Sequence, residues 1–260
     1  MKPGKIIGLI ILAGFLGVFV WGLTRPAKRP ATPRLEKSLL EIEKIESRAK
    51  DRLDAELVKQ LIGEDLDDRR FKFGIVMEAA SGKKVLPFNP NNEAHARVHE
   101  AITAALEHAA ATLGRPDSPV RGLRRINEAS HFFEDALLET LDAQPDLSAG
   151  IPLTHDGRHQ RSGYPDLRIE HLPSHTVFYL DPKLVEQTSW DSSLRTFYFE
   201  PKAGSLKITE DAVHLLAGIP HDGRDGQWTF GKAKLIDLSA ITLRLKPEFQ
   251  ASNKDLYPPQ

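Results

Sequence analysis

The chain changes its hydrophobic pattern three times. Ile6 to Leu23 is an apolar run without a charge. As a helix rising about 1.5 Å per residue it would extend roughly 27 Å, close to the thickness of a bilayer core. Leu35 to Ile62 then spaces Leu, Ile and Ala at helical intervals among Glu, Lys and Arg, which predicts one long amphipathic helix. Phe71 to Phe88 contains two β-prone runs around Ser81-Gly82 and predicts a hairpin. Glu93 to Leu113 is Ala-rich and helical, Gly114 to Gly122 breaks the pattern, and Arg124 to Leu141 resumes it. From Tyr164 onward the period shortens to that of strands, at 167–171, 176–184, 195–200, 213–219, 228–238 and 241–249. Helices followed by a mostly antiparallel run of strands predict an α/β (α+β) domain.

Five regions follow: an anchor at 1–24, a Pro-rich basic linker at 25–34, an amphipathic helix at 35–66, an α/β domain at 67–250 and a tail at 251–260. The exit of the apolar run, Trp21-Gly22-Leu23-Thr24, lacks small residues for signal cleavage, so a retained single-pass membrane helix is expected. Basic residues after the run outnumber those before it, which favours the cytoplasmic side for the body of the chain. The apolar stripe of 35–62 has two candidate partners, a second copy in a homodimeric coiled coil or the chain's own domain.

Composition narrows the chemistry. The net charge is −1, so any attraction for phosphate must come from a local patch. The absence of cysteine removes thiol nucleophiles, Cys-ligated zinc and disulfides. No G-x-G-x-x-G, Walker loop or G-x-S-x-G is present. Three His pairs share the H-x-x-x-H spacing, but none carries the acid of a zinc-hydrolase motif.

The informative stretch is GYPDLRIEHLPSHTVFYLDPKL, residues 163–184. A hairpin centred between Pro173 and Ser174 sets Asp166 opposite Asp181, and Lys183 shares the face of Asp181 by alternation. Two carboxylates and a lysine suit metal-assisted phosphodiester hydrolysis. Hard oxygens hold Mg²⁺ or Mn²⁺, and the lysine can orient water or stabilise developing charge. The plain alternative is an exposed cross-strand ion pair.

Pro165-Asp166 and Asp181-Pro182-Lys183 resemble the bipartite motif of the PD-(D/E)XK nuclease superfamily. The resemblance implies a restriction endonuclease-like core, a central mixed sheet flanked by helices. It also implies a metal-dependent nuclease with Asp166 and Asp181 as ligands and Lys183 as catalytic lysine. Members commonly add a helix glutamate. Glu128 is the choice here and Glu134 the reserve.

Arg125, within the basic group Arg115, Arg121, Arg124 and Arg125, and Arg195 are candidate phosphate contacts. Three functions compete at this point: a membrane-tethered Mg²⁺-dependent endonuclease acting on DNA, an inactive nucleic-acid-binding module of the same fold, and an envelope-associated interaction protein.

Overall fold

The computed structural model describes residues 33–64, 66, 68–193, 197–202, 206–246, 248 and 250–256. The chain divides between residues 65 and 66 into two compact units. The first contains α1, Pro33–Gly63, a single helix of 31 residues on which Ile45, Leu53 and Ile62 are exposed. Its charged residues recur along its whole length. Among the described residues no helix is long and apolar enough to cross a membrane. The single-pass membrane helix expected from the sequence therefore has no counterpart among the described residues. The apolar run on which that expectation rested, 6–23, lies outside the described residues.

The second unit is a mixed α/β domain. Its strands are β1 (Arg70–Lys72), β2 (Val85–Leu86), β3 (Leu147–Gly150), β4 (Leu167–His171), β5 (Thr176–Glu186), β6 (Ala212–His221), β7 (Lys234–Asp237) and β8 (Thr242–Arg244). Its helices are α2 (Phe73–Ser81), α3 (Glu93–Leu113), α4 (Ser130–Asp142) and α5 (Asn253–Leu256). The main sheet runs β2-β6-β5-β4-β3, with β7 also paired to β6, while β1 and β8 form a separate ribbon. β5 and β6 are parallel and β4 and β5 antiparallel. Every residue of β6 is buried, and its sequence accordingly reads as a continuous apolar run rather than an alternating one.

Two apolar layers hold the sheet. Val98, Ile102 and Leu106 of α3 and Phe133, Leu137 and Leu141 of α4 pack with Leu167, Ile169, Phe178 and Leu180. Phe73 and Met77 of α2 pack with Tyr164, Tyr179 and Leu216 in a second cluster. Strand alternation separates the two sets: Phe178 and Leu180 serve one layer, Val177 and Tyr179 the other.

The hairpin expected at 71–88 is not formed. Phe73 and Met77 are both fully buried at helical spacing, and the segment between the two short strands is α2. Gly82 adopts φ 69° and donates its N–H to the Glu78 carbonyl, so the glycine that resembles a hairpin turn is a helix C-cap. β1 pairs instead with β8, and β2 with β6. The helix expected over 124–141 is split into a 3₁₀ turn, Ile126–Ala129, and α4. Residues 197–200 carry no strand, and the run 228–238 is a strand only over β7.

Candidate active site

The β4–β5 hairpin places the central residues. His171 lies opposite Thr176 and Leu167 opposite Leu180. One step beyond that last pair are Asp166 and Asp181. β5 continues from there beside β6, with Pro182 opposite Ala217, while the pairing with β4 has ended. Pro182, which has no N–H, therefore sits where the strand has one neighbour instead of two.

Lys183 joins the two acids. Its ammonium is 2.6 Å from Asp181 Oδ2 and 3.2 Å from Asp166 Oδ2, to which it donates a hydrogen bond. Asp181 is 2% exposed. Its Oδ2 is within ion-pair distance of the ammonium yet has no partner in hydrogen-bond geometry. The three side chains line a cavity of about 1100 Å³ together with Ser130, Gln160 and Tyr198. This is a buried charge cluster at a cleft, unlike an exposed surface pair.

The electrostatics follow from burial and like charge. Burial first, and the neighbouring Asp166 second, push the Asp181 carboxyl up to about 7, against the pull of Lys183. For Lys183 burial is the largest single influence and acts downward, but the two carboxylates together outweigh it and the net direction is upward. Glu134 of α4 is held above the usual glutamate range, by burial and then by the charge of Asp166, with Arg161 and Lys183 opposing. Arg161 lies 3.8 Å from Glu134 and 2.5 Å from Asp135.

The structure does not bring Glu128 to this cluster. It is exposed in the 3₁₀ turn before α4 and lines a different cavity, of about 580 Å³, with Arg124, Arg125 and Asp225. The physical reason is the change of helical period at Ser130. Counted on α4 itself, Glu134 follows Ser130 by four residues and shares its face, whereas Glu128 belongs to the preceding turn. Arg125 lines the same separate cavity as Glu128. Arg195 lies outside the described residues.

Two residues that sequence reasoning did not select belong to the surroundings. Lys207 is fully buried, and the charges of Asp166, Glu134 and Asp181 act on it. His214 of β6 shares a 2.8 Å hydrogen bond with Tyr164, two residues before Asp166. For His214 the sequence signal was a polar residue inside a run that otherwise reads as core; Lys207, flanked by Leu206 and Ile208 in a polar stretch, carried none.

Asp166 and Asp181 offer hard oxygen donors set close enough together to share one ammonium, that of Lys183. The donor set thus fits a divalent cation bound through these two carboxylates. Among the described residues no group of three or more His, Cys, Asp or Glu side chains is gathered closely enough to hold a metal by itself.

Comparison with known proteins bears on the same region. The type II restriction enzyme MjaV of Methanocaldococcus jannaschii is 28% identical to this chain over 200 residues, covering 72% of this chain and 85% of that enzyme. The model of the type II restriction enzyme MjaV family matches residues 66–260, which include both apolar layers, the hairpin and the cluster of Asp166, Asp181 and Lys183. The chain belongs to the type II restriction enzyme MjaV family.

Proposed function

We propose that this chain is a divalent-cation-dependent DNA endonuclease of the PD-(D/E)XK type, with Asp166 and Asp181 as metal ligands and Lys183 as the catalytic lysine. The observation that carries the reading is the Lys183 ammonium set between two carboxylates at the open end of the hairpin, in a cleft. DNA as the substrate comes from the family, whose named member is a restriction enzyme.

When bound, Mg²⁺ or Mn²⁺ supplies Lewis-acid polarisation of a phosphoryl oxygen and acidifies water. The chain's own residues do the rest. Asp166 and Asp181 concentrate negative charge that repels DNA until a cation offsets it, so substrate and metal are linked in binding. Lys183 moves from neutralising the carboxylates to facing the phosphate, where its charge stabilises the negative charge that develops on the oxygens. Glu134, in place of Glu128, is the helix carboxylate assigned to this centre, because it shares the face of Ser130, which lines the cleft, and the charges of Asp166 and Lys183 act on it.

The test is plasmid cleavage by the full chain in Mg²⁺ or Mn²⁺, with chelator as control. Cleavage should require the metal and disappear in Asp166→Asn and in Asp181→Asn. No cleavage under any metal, or cleavage that both variants retain, contradicts the reading.

A further inference from the structure

Lys207 presents a problem that the catalytic reading leaves open. It is 0% exposed. Leu206 and Ile208 on either side belong to the second apolar layer, so the backbone here is anchored. Its ammonium donates to the carbonyl oxygens of Gln160 and Arg161, both at 3.2 Å. Its backbone N–H donates to the carbonyl of Tyr164 at 3.3 Å. Among the described residues no carboxylate forms an ion pair with it. An ammonium buried against neutral carbonyls is costly, and a lysine serving only as packing would be better replaced by an apolar side chain of similar length.

What Lys207 grips explains the expense. The segment from Gln160 to Asp166 carries the first carboxylate at its end, and Gln160, Ser162, Gly163 and Tyr164 line the wall of the cavity that holds Asp166, Asp181 and Lys183. Two hydrogen bonds from the ammonium, to Gln160 and Arg161, and one from the backbone N–H, to Tyr164, hold three carbonyls of this irregular segment, which has no strand ladder of its own before Leu167. The charges of Asp166, Glu134 and Asp181 act on the ammonium from the site side.

We propose that Lys207 is a positioning residue: it clamps the 160–166 segment and thereby fixes Asp166 against Asp181 and Lys183. The proposal rests on the reading of that cluster as catalytic, but its grip on the segment is measurable without turnover. Lys207 itself does not line the cavity. It acts through the segment that does.

The experiment uses the full chain and Lys207→Met, an unbranched neutral side chain of similar length. Hydrogen exchange without metal should rise by about tenfold or more at the amides of 160–164 and 166, with β5 and β6 unchanged. With metal and DNA, kcat should fall on the order of 10²-fold at unchanged KM, as expected when a reacting group is misplaced by about 1 Å. The melting temperature should hold or rise, and Lys207→Arg should recover part of the rate. A purely structural role predicts the reverse, a lower melting temperature and a wild-type kcat. Unchanged exchange at 160–166, or loosened exchange with wild-type kcat, overturns the proposal. If the wild type cleaves no DNA, the catalytic reading fails at that control, and the exchange comparison alone decides whether Lys207 holds the segment. Should Lys207→Met not fold, Lys207→Gln is read in the same way.

Discussion

Asp181 is the residue on which the site's energetics turn. Its carboxyl is raised from 3.8 to about 7, chiefly by burial. A raised acid stabilises the fold fully below its unfolded pKa, and that contribution is lost as pH rises through the folded value. Between about pH 4 and 7 the metal-free protein should therefore lose stability with rising pH at this site. Asp181→Asn removes the penalty. At about pH 8 without metal it should be more stable than wild type by at least about 1.4 kcal/mol, the worth of one pKa unit, and the gain should fade near pH 4. Millimolar Mg²⁺ should raise the melting temperature of the wild type and leave that of Asp181→Asn nearly unmoved. Denaturant melts across pH, with and without metal, measure all of this; a variant less stable than wild type at every pH contradicts it. The three central residues were legible because alternation and a central turn suffice to pair them. Glu134 was not preferred over Glu128, because helical phase counts from Ser130 and nothing in RRINEAS marks the change from 3₁₀ to α.

At the scale of elements, the β4–β5 hairpin was readable because two β-prone arms flank a polar turn and one face must be buried. α2 was not. Its nine residues open on β-prone Phe, Ile and Val and close on helix-favouring Met, Glu and Ala, and burial of Phe73 and Met77 on one face decides for helix. β6 carries a cost that its apolar sequence conceals. His214 is fully buried, and its Nε2 lacks a hydrogen-bond partner. Burial lowers its pKa to about 3, so the folded strand keeps it neutral while the unfolded chain takes up a proton near 6.5. A depressed histidine contributes fully above its unfolded pKa, and that contribution is lost as pH falls toward the folded value. Between about pH 6 and 4 the wild type should lose up to about 1.4 kcal/mol per pH unit from this residue alone. His214→Asn should show a shallower acid slope. Equal slopes for the two proteins count against a neutral buried His214.

For the whole molecule, the family match and the α/β unit coincide from residue 66 onward, and everything assigned to chemistry lies within that span. The net charge of −1 gives the chain no general attraction for DNA, so on the proposed function binding depends on the local balance at the cleft, where a bound divalent cation would offset the two carboxylates. Lys183 is the sharpest probe, because it is the one member of the central three to which the proposed function gives no metal-binding role. The deciding measurement is plasmid cleavage in Mg²⁺ by the full chain against Lys183→Ala, with Mn²⁺ binding followed by calorimetry on both. The account predicts a rate loss on the order of 10²–10³-fold with metal binding nearly preserved, the two proteins being compared in saturating metal, where a cation offsets the carboxylates that Lys183 otherwise neutralises. If Lys183→Ala cleaves as fast as the wild type, the cluster of Asp166, Asp181 and Lys183 is not the catalytic centre.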